Sequence, residues 1–190
     1  MPHFPNNILE ALREPLEDNK ILISRVNSKV LYETKFIFVA ALNPCPCGNL
    51  LSSVKECRCS EVEIQRYKNR LSEPFLDRID LYLVMNDSFN DNKNIVSSTE
   101  LHQNVIKAFI KQKSRGQKEL NGKLSDEDIK KYCLLDDDSS EVLEKARLNY
   151  SLSFRSINKV LKVARTIADL NDNEIITKSD LLKSLNFRRR

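Results

Sequence analysis

Short apolar runs separated by polar turns fill the first half of the chain. Residues 36–42 form a continuous apolar run, with the length and the β-branched and aromatic content of a buried strand. This run stops at Asn43, which is followed by a proline, and residues 79–85 form a second run of the same kind. Two earlier apolar segments flank a polar turn at 26–29 and predict a β-hairpin over residues 20–32. The pattern therefore predicts two buried strands and one hairpin.

Two helices are predicted around these strands. Residues 5–18 have helical periodicity, and we expect a break near Glu14 because the following Pro15 cannot continue the hydrogen-bond ladder. Ser60 and Glu63 have the spacing of a capping box, which opens a second helix. The buried side of this second helix is predicted to carry Val62, Tyr67 and Leu71.

The pattern becomes wholly helical after a polar segment, residues 86–98, that is typical of a linker. Helix starts are predicted at Ser125, at Ser139 or Ser140, at Ser153 and at Thr177. The helix after Ser153 has the clearest apolar stripe, formed by Ile157, Val160, Leu161, Ala164, Ile167 and Ala168. We therefore predict an α/β domain over 1–88, followed by an all-helical domain over 89–190.

Composition narrows the class of protein. Hydrophobic residues make up 41% of the chain and charged residues 31%, as in soluble globular proteins. No apolar run approaches the ~20 residues of a membrane span, so we expect a cytoplasmic protein with no membrane partner. The net charge is −2 over residues 1–100 (12 Lys and Arg, 14 Asp and Glu) and +6 over 101–190 (19 and 13). The basic half is either a solvated helical surface or one that faces phosphates.

Four of the five cysteines lie within fifteen residues and form the pattern C-x-C-x9-C-x-C. Two close pairs of thiolates suit a tetrahedral structural zinc site with no open position for substrate. The alternative is a set of reduced thiols without a metal. The predicted zinc ligands are Cys45, Cys47, Cys57 and Cys59, whereas Cys133 is expected in the core.

Three polar residues at the ends of predicted elements are candidates for a ligand site. Asn43 ends the first strand, but an asparagine before proline also starts ordinary turns. Arg78 precedes the second strand, and a local ion pair with Asp77 or Asp80 is the alternative. Arg155 follows a helix N-cap, and the alternative is an ordinary exposed arginine on that helix.

The order of these motifs resembles one family. The series Asn-Pro-Cys-Pro-Cys-Gly, Cys-x-Cys and Leu-Asp-Arg-Ile-Asp is similar to magnesium-chelatase-like AAA+ ATPases of the ComM (YifB) type. The opening segment at 2–18 resembles the segment after that family's Walker B acids. The later segments 151–155 and 164–170 match its C-terminal helical lid. The resemblance therefore covers nearly the whole chain.

This resemblance implies a fold and a set of roles. The fold would be a partial AAA+ core, the second half of an αβα sandwich, followed by a helical lid. Asn43 would be sensor 1, Arg78 an arginine finger acting on a neighbouring subunit, and Arg155 sensor 2. Arg25 and Lys29, in the hairpin, would face DNA in a central pore. The parent protein would be a hexameric ATPase and helicase that uses ATP and Mg²⁺ for DNA branch migration in natural transformation.

The chain departs from the family pattern in one large respect. It contains no G-x-x-x-x-G-K-[ST] phosphate loop, and it begins just after the expected Walker B acids. We therefore expect a fragment that does not hydrolyse ATP alone and that needs the missing N-terminal half of the core as a partner. The rival hypothesis is a non-enzymatic, zinc-stabilised adaptor for nucleic acid or protein.

Overall fold

The computed structural model describes Pro2, residues 4–85 and residues 96–188. These residues divide into two compact units. The first contains the described residues up to 79 together with 84 and 85, and the second contains 80–83 and 96–188. The predicted boundary between 88 and 89 lies outside the described residues and stays a prediction.

The first unit opens with two short helices, α1 (Asn6–Ala11) and α2 (Arg13–Asp18). They confirm the predicted helical segment and its break, although the break falls at Leu12 rather than near Glu14. Pro15 occupies the third position of α2, where a backbone N–H would have no intrahelical acceptor. Restarting the helix at Arg13 therefore accommodates the proline without losing a hydrogen bond.

The predicted hairpin is confirmed as β1 (Lys20–Arg25) and β2 (Ser28–Glu33), which pair antiparallel from Lys20 with Glu33 to Arg25 with Ser28. Its base is fixed to α2. Asn19 takes a left-handed conformation (φ 52°) and accepts a hydrogen bond from the Thr34 N–H at 2.8 Å. The Thr34 hydroxyl donates to the carbonyl of Pro15 at 3.0 Å. The hairpin is thus anchored at one end and exposed along its length.

The prediction of a buried strand over residues 36–42 is wrong. Within the described residues the sheet consists of β1 and β2 alone. Ile37 is 91% exposed and Val39 is 86% exposed, whereas Phe38 is half-buried and its ring meets that of Phe75 edge-on at 6.3 Å. A strand requires a neighbour to pair its N–H and C=O groups, and the described part of the chain supplies none here.

The prediction of a second strand over residues 79–85 is also wrong. Leu83 and Met85 are exposed, and no residue of this segment joins a ladder among the described residues. Residues 80–83 belong to the second unit instead. There the Tyr82 N–H donates to the Phe187 carbonyl at 2.7 Å, and Asp80 pairs with Lys159 at 3.3 Å. These contacts replace the expected sheet pairing.

Two further helices complete the first unit, α3 (Glu61–Lys68) and α4 (Glu73–Leu76). The capping box of α3 is confirmed, since Ser60 and Glu63 bond reciprocally. Of its predicted buried side, Tyr67 and Leu71 are buried, but Val62 is 66% exposed. The core of this unit consists of Leu9, Leu71, Phe75 and Leu76, with Leu12, Leu16, Phe38, Leu42 and Ile79 packed against it.

The second unit is helical, as predicted. Its helices are α5 (Ser98–Ser114), α6 (Asp126–Tyr132), α7 (Asp137–Asn149), α8 (Phe154–Leu170) and α9 (Lys178–Asn186), with a 3₁₀ turn at Asn121–Lys123. Ser125, Ser153 and Thr177 cap their helices as expected. The cap of α7 is Asp136 rather than Ser139 or Ser140, because its carboxylate accepts the Ser139 N–H at 2.7 Å.

The core of the second unit lies along α8. Val160, Ala164 and Ala168 are fully buried there, and Cys133 joins the same cluster as predicted. A backbone bridge between Leu135 and Ile176 ties the start of α7 to the segment before α9. Among the described helices, none is both long and apolar enough to pass through a bilayer.

Candidate metal centre and arginine sites

The four clustered cysteines converge in the segment that we call the cysteine loop, residues 44–60. Their Sγ atoms all lie within 4.8 Å of one another. Cys45 is buried, Cys57 and Cys59 are half-buried, and Cys47 is exposed. The two Cys-x-Cys pairs therefore meet, as the spacing predicted.

The sulfur positions match the dimensions of a zinc site. The Cys45–Cys47, Cys45–Cys57 and Cys47–Cys57 sulfur distances are 3.4, 3.7 and 3.6 Å. A tetrahedron with Zn–S bonds of about 2.3 Å has edges of about 3.8 Å. The four thiolates therefore form a donor set of the right type, number and separation for Zn²⁺.

Ionisation within the cluster is uneven. Hydrogen bonds from the backbone N–H groups of Asn49 and Arg58 lower the pKa of Cys47 to about 6. For Cys59, the N–H group of Cys47 acts to lower the pKa, but burial and the three neighbouring sulfurs outweigh it and raise the pKa to about 12. The Cys47 thiolate thus forms easily, whereas the raised pKa values of Cys57 and Cys59 oppose a second negative charge. A bound divalent cation would remove that conflict.

The turn that begins the cysteine loop also positions Asn43. Gly48 has a φ of +83°, which favours glycine, and its N–H donates to the Cys45 carbonyl at 3.1 Å. The Asn43 side chain lies against this glycine, 3.6 Å from where a Cβ would stand. The candidate sensor residue is therefore exposed and adjacent to the cluster, rather than at the end of a strand.

Arg78 is held within the first unit. Its side chain is 13% exposed, and its Nε lies 3.2 Å from the Arg13 carbonyl and 3.3 Å from the Glu17 carboxylate. Its Nη1 donates to the carbonyl of Pro74 at 2.5 Å. The ion pair of Arg78 with Glu17 is long-range, and local sequence had suggested only Asp77 or Asp80.

Arg155 lies in the first turn of α8 and is exposed. The N-cap Ser153 accepts the N–H of Ser156 at 3.2 Å, so the start of the helix is well formed. A cation gains nothing from the helix dipole at this end, where the exposed N–H groups attract anions instead.

The DNA-facing candidates Arg25 and Lys29 lie next to the hairpin tip. Both are exposed, and the turn residue Val26 between them is fully exposed. The tip therefore presents two cations and one apolar side chain to solvent.

A buried polar network in the second unit was not predicted. Arg165 and Asp169 are 1% and 2% exposed and form an ion pair at 3.0 Å. Arg115 joins the same carboxylate at 2.5 Å, and Asn121 donates to its other oxygen at 2.8 Å. The i,i+4 spacing of Arg165 and Asp169 was a visible signal, but helix surfaces carry many such pairs.

Two models of one protein family match the chain. The model for magnesium chelatase, subunit ChlI, matches residues 1–93, and the model for the C-terminal part of the same subunit matches residues 96–188. The chain belongs to the magnesium chelatase ChlI family. The resemblance stated from the sequence motifs is thereby confirmed.

Relatives within this family match the chain along nearly its whole length. Competence protein ComM of Haemophilus influenzae is 38% identical over 193 residues, covering 99% of this chain and 37% of that protein. The protein YifB of Salmonella typhimurium is 37% identical over 196 residues, covering 99% of this chain and 38% of YifB. YifB of Escherichia coli is 38% identical over 193 residues, with the same two shares. The chain thus spans little more than a third of the length of these relatives.

Proposed function

We propose that this chain supplies the nucleotide-sensing and arginine-finger half of a ComM-type AAA+ ATPase, whose whole form remodels DNA by branch migration in natural transformation. The observation that carries the proposal is the continuous similarity to competence protein ComM over 99% of the chain. This similarity includes the segments that hold Asn43, Arg78 and Arg155, and it is accompanied by both family models.

Binding of ATP and Mg²⁺ would depend on residues that these 190 do not include. The sequence has three glycines, Gly48, Gly116 and Gly122, and no phosphate loop. The N-terminal half of the AAA+ core would cradle the phosphates and hold the metal ion, and it is therefore the first partner of this chain. The chain alone is expected to be inactive as an ATPase.

The three polar candidates would act on the nucleotide from different places. Asn43 would orient water or a phosphate oxygen, which a neutral amide does without a proton cost. Arg78 would reach the nucleotide of a neighbouring subunit and stabilise the charge of phosphoryl transfer. Arg155 would sense the nucleotide of its own subunit. A finger that acts between subunits requires self-association, and a hexameric ring is the assembly that the family suggests.

DNA would contact the hairpin tip at Arg25 and Lys29. Both are exposed beside a turn whose base is anchored to α2, so they could follow a phosphate backbone without disturbing the core. The +6 charge of residues 101–190 would add a non-specific attraction. A protein that contacts DNA in this way would act in the cytoplasm.

Zinc would hold the cysteine loop. Cys45, Cys47, Cys57 and Cys59 fit a closed four-thiolate site, so the metal would be structural and would take no part in ATP chemistry. The same cluster favours the second candidate function, a zinc-stabilised adaptor without enzymatic activity.

Mixed-subunit ATPase assays distinguish the two functions. The parent protein, reconstituted with the N-terminal half, should lose about 10³-fold or more in turnover when Arg78 is replaced by alanine. An Arg78→Ala subunit should regain activity at its own site beside a wild-type neighbour, whereas a subunit lacking its phosphate loop should not. Turnover near wild type in the uniform Arg78→Ala assembly would refute the finger and favour the adaptor.

A further inference from the structure

The guanidinium of Arg78 is anchored at two of its three nitrogens. Nε donates to the Arg13 carbonyl at 3.2 Å and Nη1 donates to the Pro74 carbonyl at 2.5 Å. The Glu17 carboxylate lies 3.3 Å from Nε as an ion pair, without accepting its hydrogen bond. These partners come from α2 and α4, which are far apart in sequence.

The third nitrogen of the guanidinium, Nη2, has no such anchor. Within the described residues, Nη2 of Arg78 makes no hydrogen bond or ion pair. An arginine has five N–H donors in a rigid fork, so fixing Nε and Nη1 also fixes the direction of Nη2. The side chain keeps 13% of its surface exposed.

We propose that Glu17 is a positioning residue for Arg78. Its carboxylate neutralises the guanidinium in the free subunit and, with the two carbonyls, holds the fork so that Nη2 is the group presented to a neighbouring subunit. This inference rests on the proposed function, because it assigns Glu17 to the same finger.

Glu17 is the partner of Arg78 that substitution can change. The other two partners are backbone carbonyls, which no substitution removes. Lysine at position 78 could not replace the arrangement, since a single ammonium cannot span acceptors on both sides of a planar fork. Both side chains are largely buried, so the Coulomb attraction between Glu17 and the guanidinium is only partly screened and adds to the two hydrogen bonds to carbonyls.

The anchoring can be measured in the 190-residue chain by NMR. The Nε–H signal of Arg78, assigned by its loss in Arg78→Lys, should exchange with solvent about tenfold faster in Glu17→Ala than in the wild type. Glu17→Gln, which keeps an acceptor oxygen but loses the charge, should give an intermediate rate. Glu14→Gln removes a charge from the exposed side of the same helix and should leave the signal unchanged. Thermal unfolding of each variant checks that α2 and α4 remain folded.

The consequence for function is tested by a double-mutant cycle in the reconstituted parent. Glu17→Ala should lower the turnover number about 10- to 100-fold without changing nucleotide affinity, because it misdirects a group that acts in the transition state. Glu17→Ala combined with Arg78→Ala should be no slower than Arg78→Ala alone. Glu17→Gln should recover part of the turnover, and Glu14→Gln should retain all of it.

Each failure has a distinct meaning. An unchanged Nε–H exchange rate in Glu17→Ala would overturn the anchoring, even if Arg78→Ala abolished turnover. Additive losses in the double mutant would show that Glu17 acts independently of Arg78 and would also overturn the inference. Turnover near wild type in Arg78→Ala would refute the finger itself and, with it, the functional role given to Glu17.

Discussion

Removing the Asp169 carboxylate should destabilise the second unit strongly. Its Oδ1 accepts from Nε and Nη2 of Arg165 at 3.2 and 3.0 Å and from Nη2 of Arg115 at 2.5 Å. Its Oδ2 accepts from Nδ2 of Asn121 at 2.8 Å. In Asp169→Ala, these donors lose a charged acceptor, and those of Arg165 and Asn121 lie in side chains that are 1% exposed.

The expected loss depends on which contacts remain. Breaking a buried ion pair by removing one partner typically costs about 3–5 kcal/mol. Arg165 would keep two backbone acceptors, the carbonyls of Asn173 and Glu174, each at 2.6 Å. We therefore expect the lower end, about 3 kcal/mol, which would lower the melting temperature of a unit of this size by roughly 10–20 °C.

An exposed pair in the same unit provides a matched control. Glu144 and Arg147 form an ion pair at 2.9 Å on α7, with side chains 62% and 48% exposed. Exposed pairs of this kind contribute about 0.2–1 kcal/mol. Glu144→Ala is also an acid-to-alanine change within a helix, so it separates the effect of burial from the effect of charge.

Hydrogen exchange in increasing urea measures each unit separately, which a single unfolding curve of a two-unit chain does not. Peptides from α8 should lose protection in Asp169→Ala, whereas peptides from α3 in the first unit should not change. Asp169→Asn keeps one acceptor oxygen, so its free energy of unfolding should lie between those of the wild type and Asp169→Ala. A free energy of unfolding for Asp169→Ala within about 1 kcal/mol of that for Glu144→Ala would refute the reasoning.

Three further predictions concern the cysteine loop, the start of α9 and the hairpin. Freshly reduced protein should contain about one Zn²⁺ per chain, and a metal-free wild type in elemental analysis would contradict this. Cys45→Ser should lose the metal and speed amide hydrogen exchange in the cysteine loop, whereas Cys133→Ser should do neither. Burial acts to raise the pKa of Asp180, but hydrogen bonds from neighbouring amide and hydroxyl groups outweigh it and hold the pKa below its ordinary value. Its stabilisation is therefore present above about pH 4 and is lost as pH falls further, so Asp180→Asn should flatten the acid-side decline of thermal stability. DNA binding by this chain should be weak and should fall steeply with salt, and loss of Arg25 and Lys29 should weaken it further; tight binding that does not depend on salt would favour the adaptor.

Local signals were enough to predict the helices and the cysteine cluster. An N-cap side chain accepts the N–H three residues later, so a cap and its partner lie within one helical turn. This is the case for Ser60, Ser125, Ser153 and Thr177. The cysteine pairs are similarly close in sequence. In both cases the relevant partners lie within a short stretch of chain.

Long-range partners explain why other features could not be predicted. Glu17 and Arg78 lie on elements that are far apart in sequence, and nothing in either segment indicates that they meet. Arg165 and Asp169 have the i,i+4 spacing of a helix pair, but only the packing of α5 against α8 brings Arg115 to it. The Arg165–Asp169 pair is buried and is joined by further partners, which its spacing in the sequence does not indicate.

The wrong strand predictions have the same physical origin. Four residues of the segment 36–42 alternate as in a strand, since Phe38 and Leu42 pack on the core while Ile37 and Val39 face solvent. Side-chain pattern specifies which face is covered, but a ladder also needs a neighbouring backbone. The proposed N-terminal half of the core would supply that backbone, and we expect Ile37 and Val39 to become buried when it is added. The exposed apolar side of this segment is thus the physical reason why this chain would need that partner.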